Sequence, residues 1–501
     1  MTANKLSASA GIQSYLAAVK ERVETIVDPA TKSAVEIPDF RVMNEAAGTL
    51  DTAAHPEQVV LTIQSLLGRA SSYGMDAPGS DYPLAFPADH RIHMKMGAEW
   101  YWIGANLTVA DSSGVESQIA VLVVMKKSRV MGLAEQKNAG WSDEDSQVVS
   151  TLATVIGKNG DGSADIVRRA TNVQWPLMGG TASCSDTGQP FLFTCGNDSL
   201  SGAVDVLPLN VSVDDGDNMK IDLQLGCQDS LSADKSFFLE GVPRGPLTTL
   251  EGGTGLTPTP TPGLYTSWPQ LTVSGTVTIK GKTLTVKGGS AWMDHQLMMN
   301  SLDNADSSVT PVPFIDDATP YNGWTWQFFN LKNGDAFTCS SFLQNNLEVE
   351  QAVPYGYYLK IVNKAWQAFY ITSLDIEDPQ SSKAGKLAFS QYKAYPVVIG
   401  NDGPEFANAI APTHRRYEKI GNTIIDTLLS EKPLSGIATP WSGDGTFIGA
   451  DLSIASEMPS DYTDTSGKHP NGVGYCELVG FENTVAYRNR ALAFLKSGVL
   501  P

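Results

Sequence analysis

Residues 271–289, LTVSGTVTIKGKTLTVKGG, constrain the fold of this chain more than any other stretch. Leu271, Val273, Val277 and Ile279 alternate with other residues before Lys280-Gly281-Lys282, and Leu284 and Val286 alternate after it. A period of two sends every second side chain to the same face, so the segment reads as a hairpin with one buried side. WYWIGANLTVADSSGVESQIAVLVVM (100–125) repeats the format around an Asp-Ser-Ser-Gly turn, and GWTWQFFNLKNGDAFTCSSF (323–342) around Asn333-Gly334. Strand–turn spacing of this kind continues from about residue 86 to 501. The expected fold class is therefore all-β, with two consecutive barrel or sandwich domains.

Helix is expected in only two places. Ile12, Leu16, Val19 and Val23 recur three or four apart, and Val59, Leu61, Ile63, Leu66 and Leu67 form a second apolar-periodic stretch. Residues 1–80 thus read as a helical N-terminal extension packed on the body or on a neighbouring subunit. The acidic SDEDS stretch suits a helix start and predicts a further helix over Ser142–Val155. The expected domains are 81–285 and 286–501. Pro-rich TGLTPTPTPG (254–263) resembles a linker, read as a long loop before the strand that leads into the second domain.

Composition narrows the function. The 501 residues carry 35 Lys and Arg against 54 Asp and Glu, a formal charge of −19, which argues against nucleic acid and anionic membrane surfaces as partners. The longest apolar runs, such as Ile119–Met125, fall short of the ~20 residues that span a bilayer. The five cysteines (Cys184, Cys195, Cys227, Cys339 and Cys476) are odd in number and form no C-x-x-C pair. Neither a disulfide framework nor a zinc knuckle is indicated, and a cytoplasmic location is expected.

Cofactor motifs are missing as well. The six histidines form no H-x-x-x-H or H-E-x-x-H arrangement, and there is no G-x-S-x-G elbow or P-loop. VDDGDNMKID (213–222) lacks the closing Glu of a calcium loop and reads as a solvated acidic turn. No metal and no other cofactor is expected.

Two clusters remain. FPADHRIHMKMGAEWYWIGANL holds Asp89, His90, His93, Glu99, Trp100, Tyr101 and Trp102 within fourteen residues. GGSAWMDHQLM holds Trp292, Asp294 and His295, and is followed by GWTWQFF with Trp324 and Trp326. On a strand, Trp100 and Trp102 share one face while Tyr101 takes the other, and Trp324 and Trp326 likewise share a face. Single tryptophans of this kind fill barrel cores, but the set together with Asp294 and His295 points to a ligand pocket.

The order FPADHRIH…EWYWIGANL, YTSWPQLTVSGTV, GGSAWMDHQLM, GWTWQFFNLKNGD, GVGYCELVGF resembles one family. It is the lipocalin-like, two-domain calycin family of carotenoid 1,2-hydratases (hydroxyneurosporene synthases), fungal decalin-forming Diels-Alderases and predicted secreted hydrolases. The resemblance runs from about residue 86 to 485, with A-W-M-D-H its most specific piece; the chain has E-W-Y-W where the family usually shows E-W-W-Y. It implies two lipocalin-like β domains, an apolar substrate cavity at or near their junction, and chemistry without a metal or redox cofactor. The implied reactions are hydration of an isolated C=C or intramolecular cycloaddition of a polyene.

Hydration of an alkene needs an acid that protonates carbon, walls that stabilise a cation, and a water. Burial raises a carboxyl pKa, which makes Asp294 the candidate acid. His295 cannot share its face on a regular strand, unless a bulge or strand end intervenes. Glu99, Trp100, Tyr101, Trp102, Trp292, Trp324 and Trp326 are the candidate substrate-binding residues. Asp294 and His295 are the candidate catalytic residues, and a structural hydrogen-bond pair is the competing reading of the two. The expected function is a cofactor-independent hydratase or dehydratase of a large apolar isoprenoid or polyene substrate. A cyclase that preorganises such a substrate and a non-catalytic lipocalin-type carrier are the alternatives.

Overall fold

The computed structural model describes residues 85–129, 140–158, 164–168, 172–174, 180–186, 188–232, 235–241, 263–298, 324–342, 353–374, 392–399, 434–441, 446–448, 454–464 and 469–479, with a few single positions between them. The helical extension expected over 1–80 and most of the Pro-rich linker lie outside the described residues.

Almost everything described is strand. A first sheet contains β1 (Ala98–Ala110), β2 (Glu116–Arg129), β3 (Gln147–Lys158), β4 (Ala164–Arg168), β5 (Asn172–Gln174), β6 (Ala182–Cys184) and β7 (Phe191–Cys195). It continues through β8 (Asp198–Ala203), β9 (Val206–Asp214), β10 (Met219–Gly226), β11 (Phe238–Gly241), β12 (Gly263–Ile279) and β13 (Lys282–Met298). A second sheet contains β14 (Trp324–Leu331), β15 (Ala336–Phe342), β16 (Val353–Val362), β17 (Ala365–Leu374) and β18 (Tyr392–Ile399). Its remaining strands are β19 (Leu434–Pro440), β20 (Thr446–Ile448), β21 (Ile454–Asp464) and β22 (Gly472–Val479).

The first sheet is ordered β4-β3-β2-β1-β13-β12-β10-β9-β8-β7-β6, with β11 beside β12 and β5 beside β3. It curls until its ends approach: Asn172 of β5 donates to the Cys195 carbonyl at 2.9 Å and to Asp198 at 2.7 Å. The second sheet is ordered β19-β18-β17-β16-β15-β14-β22-β21-β20, and the pairing of β19 with β21 closes it into a ring. Two barrel-like sheets in succession match the all-β expectation.

Local sequence accounts for the joins. Lys280 and Gly281 both have positive φ, 49° and 78°, and Ile279 pairs directly with Lys282. That is the primed two-residue turn that right-twisted strands prefer. The Asn333-Gly334 turn also forms, with Gly334 at φ 90°. VDDGDNMKID is the β9–β10 hairpin, where Lys220 pairs with Asp214 at 3.0 Å.

The helix expected over Ser142–Val155 is not there. The Asp145 N–H donates to Ser142 Oγ at 3.0 Å and the Ser142 N–H to Asp145 Oδ2 at 3.2 Å, which closes a turn, and β3 begins at Gln147. Serine and aspartate at this spacing cap a turn as readily as a helix. The following QVVSTLATVIGK is buried on both faces of β3, so its apolar residues carry no period of two. Among the described residues, helix is limited to a 3-10 turn at Ala88–His90, three positions between 133 and 137, and single 3-10 positions at 176 and 235.

Burial on both faces is what positions the site. β10 alternates strictly, with Met219, Ile221, Leu223 and Leu225 inside and Lys220, Asp222 and Gln224 outside. β1 does not alternate, because the first barrel's core covers one face and the second sheet the other. Tyr101, Ile103, Ala105 and Leu107 join the barrel core, whereas Trp102 joins an intersheet layer with Ala120, Leu122 and Trp292. From the second sheet that layer receives Trp326, Phe328, Tyr357, Trp366 and Tyr475. Polar bonds pin the two sheets: Gln270 Nε2 donates to the carbonyls of Leu331 (2.8 Å) and Asp335 (2.7 Å), and Lys158 pairs with Asp461 at 2.6 Å. The first sheet runs to Met298, so the 285/286 division expected from sequence falls inside β13, where Thr285 pairs with Ala110 of β1.

Candidate active site

The two sequence clusters meet because β1 and β13 are neighbours. Their antiparallel register sets Trp102 opposite Asp294, Tyr101 opposite His295, Gly104 opposite Trp292 and Glu99 opposite Leu297. Opposed residues share a face. The register is unbroken from Ala98 to Thr108, so no bulge brings Asp294 and His295 together. Glu99, Tyr101 and His295 point into the first barrel, and Trp100, Trp102, Trp292 and Asp294 into the intersheet layer. Trp324 opens β14, and its side chain is outside the described residues.

On the barrel side, fully buried Glu99 accepts from the His93 N–H (2.6 Å), His93 Nδ1 (2.7 Å) and His295 Nε2 (2.8 Å). His93 Nε2 also lies 3.2 Å from Asp89, and Tyr101 stacks on His295 with ring centroids 4.4 Å apart. Lys127, buried beneath, donates to the carbonyls of His93 (2.7 Å) and Met96 (2.6 Å). Burial alone would raise the Glu99 pKa, but the two imidazoles reverse that and hold it well below the usual carboxylate range. Burial likewise works to lower His93, and Glu99 and Asp89 override it to raise His93 to about 9. Lys127 is lowered to about 8, chiefly by burial.

His93, Glu99 and His295 are also a set of donors with which a metal could be held, their nearest atoms lying within 4.8 Å of one another. As they stand, Glu99 Oε1 sits 2.7 and 2.8 Å from the two imidazole nitrogens, which are hydrogen-bond distances. These are charge-assisted hydrogen bonds. An ionised carboxylate only accepts, so both imidazoles donate to it. The cluster clamps the segment before β1 onto β1 and β13.

The intersheet side holds different chemistry. The Asp294 carboxyl accepts from Trp292 Nε1 at 2.6 Å and from the Tyr265 hydroxyl at 2.8 Å, and Ser267 also bonds to it. Burial pushes its pKa up to about 7, against the pull of these three donors. Around it, Trp292 stacks on Phe328 at 4.9 Å, and Trp102 meets Trp326 (5.0 Å), Phe328 (5.6 Å) and Tyr475 (5.5 Å) edge to face. Gly104 makes this possible, since a Cβ there would lie 2.3 Å from the Trp102 indole. Trp100 is half-buried at the layer's margin, with Lys126 5.6 Å from its ring centre.

A second buried acid closes the layer. Glu457 of β21 accepts from Trp102 Nε1 at 3.2 Å. Burial first, and then the Glu477 charge opposite it on β22, raise its pKa well above the usual range. Sequence reasoning had not selected Tyr265, Ser267, Phe328, Glu457 or Tyr475. Tyr265 and Ser267 stand two apart in YTSW, the spacing of one strand face. Glu457 has no such signal, being one acid in a polar-flanked strand.

The AttH-like family model matches residues 77–359, more than half of the chain. No curated protein sequence matches it. A crystal structure of an AttH protein from Nitrosomonas europaea covers 81% of this chain and 100% of its own, at TM-score 0.51 and 14% identity, a likeness of fold. Kievitone hydratase from Nectria haematococca covers 81% of this chain and 96% of its own, at TM-score 0.45 and 11% identity. CghA bound to Sch210972 covers 77% and 89%, at 0.33 and 10%. These last two superpose too loosely to bear on the reaction. The family match and the shared fold agree with the resemblance carried by the A-W-M-D-H and E-W-Y-W segments: the chain belongs to the AttH-like family.

Proposed function

We propose that this protein is a cofactor-independent enzyme that adds water across a C=C bond, or removes it, on a large and mainly apolar unsaturated substrate. One observation carries the reading: Asp294 is a buried carboxyl with its pKa pushed up to about 7, held by three donors and facing an aromatic wall. A carboxyl in that state is a proton donor at neutral pH.

In the hydration direction, Asp294 gives its proton to one alkene carbon and the positive charge develops on the neighbouring carbon. The π-faces of Trp102, Trp292 and Trp326 stabilise that charge by ~0.5–2 kcal/mol each. Water adds to the cation, and its proton returns to the Asp294 carboxylate, which restores the acid. Dehydration runs the same steps backwards. Incubation with polyenes in oxygen-18 water tests the reading. Label in the product alcohol supports it, and a rearranged or cyclised product without label points to the cyclase alternative.

A further inference from the structure

The intersheet layer holds polar atoms that this proton transfer does not use. Trp326 Nε1, the Tyr475 hydroxyl and Glu457 Oε2 are each buried and each lack a hydrogen-bond partner. They come from three adjacent strands and one sheet face: Glu477 of β22 lies opposite both Trp326 and Glu457, and Tyr475 is two residues from it. Trp102 touches all three, edge-on to Trp326 at 5.0 Å and Tyr475 at 5.5 Å, with its Nε1 3.2 Å from the other Glu457 oxygen. Buried polar atoms are almost always paired, because an unpaired one keeps its full desolvation penalty. Three in one patch, on the layer that contains Asp294, point to a missing partner.

The chemistry of the three identifies it. An indole N–H only donates, and a buried tyrosine hydroxyl donates to the nearest acceptor. Burial first, and then Glu477, keep Glu457 protonated, so its O–H donates as well, and the Glu477 charge beside it disfavours any anion. We infer that Trp326, Tyr475 and Glu457 form a subsite for a neutral carbonyl oxygen of the substrate, across the intersheet layer from Asp294. The inference rests on the layer being the substrate site, and it makes the substrate an unsaturated ketone, not a pure hydrocarbon.

The test is a tryptophan-fluorescence titration of the full chain with geranylacetone and with the diene in which its ketone is a methylene. The ketone should bind at least ~10-fold tighter, the scale of one net hydrogen bond. Tyr475→Phe and Trp326→Phe should each bring that preference close to unity, and Glu457→Gln should weaken it. Tyr475→Phe should melt no lower than wild type, since it removes an unpaired hydroxyl. Equal affinity for both compounds, saturable binding of neither, or a preference that survives both aromatic variants overturns the subsite. So does a clear loss of stability in Tyr475→Phe, which would reveal a structural partner for the hydroxyl. Asp294→Asn should keep the preference, so a failure of the proton-donor reading would show in turnover and leave the ketone preference intact.

Discussion

Asp294 and His295 are consecutive in sequence and face opposite sides of β13. The carboxyl meets Tyr265 and Trp292 in the intersheet layer, and the imidazole meets Glu99 in the first barrel. The two candidates are therefore separate arrangements, one proposed to be chemical and one to brace the fold.

Asp294→Asn keeps the size and removes the proton. Turnover should fall by ~10²–10⁴, the usual contribution of a general acid. The unfolded carboxyl ionises near its ordinary pKa, while the folded one keeps its proton to about 7. Wild-type stability from this group is full below the unfolded pKa and is lost as pH rises through the folded one. The variant should therefore gain stability relative to wild type between pH 4 and 8, read as melting temperature against pH.

His295→Gln should behave differently. Its partner Glu99 stays buried and loses one of its donors, so the melting temperature should fall at every pH, while kcat of the folded fraction changes little. A buried hydrogen bond to a charged carboxylate is worth about 1.5–3 kcal/mol. Activity per folded molecule, compared with Asp294→Asn, separates the two faces.

His93 sets a second pH window. Its folded pKa is raised to about 9 by Glu99 and Asp89 against the opposing effect of burial. Stability from this pair is fully present below the unfolded histidine pKa of about 6.5 and is lost as pH climbs through 9. Denaturant midpoints at pH 6 and pH 9.5 should show the decline, and His93→Gln should flatten it.

Gly104→Ala tests the packing of the aromatic wall. Its Cβ would lie 2.3 Å from the Trp102 indole and 3.2 Å from Tyr475. The rigid ring has to move, at about 1–3 kcal/mol, and its bond to Glu457 should break. The expected signature is a lowered melting temperature with altered tryptophan fluorescence.

What the sequence makes legible follows from range. The hairpin turn at Lys280-Gly281 and the shared face of Trp100 and Trp102 depend on residues a few positions apart. β3 reads as a helix because both of its faces are buried, which erases the period of two. The Trp102–Glu457 bond spans 355 residues, and no local pattern carries such a contact. Asp294 stood out by type and neighbours, yet its separation from His295 needed the register with β1.

The central claim is that Asp294 holds a proton at neutral pH, and infrared difference spectroscopy measures this directly. The protein is titrated from pH 4 to 9, with Asp294→Asn subtracted to isolate the protonated-carboxyl band. A band should persist through pH 6 and disappear with a midpoint near 7. A midpoint near the ordinary aspartate value of about 3.9, with no protonated band at pH 6, would contradict it.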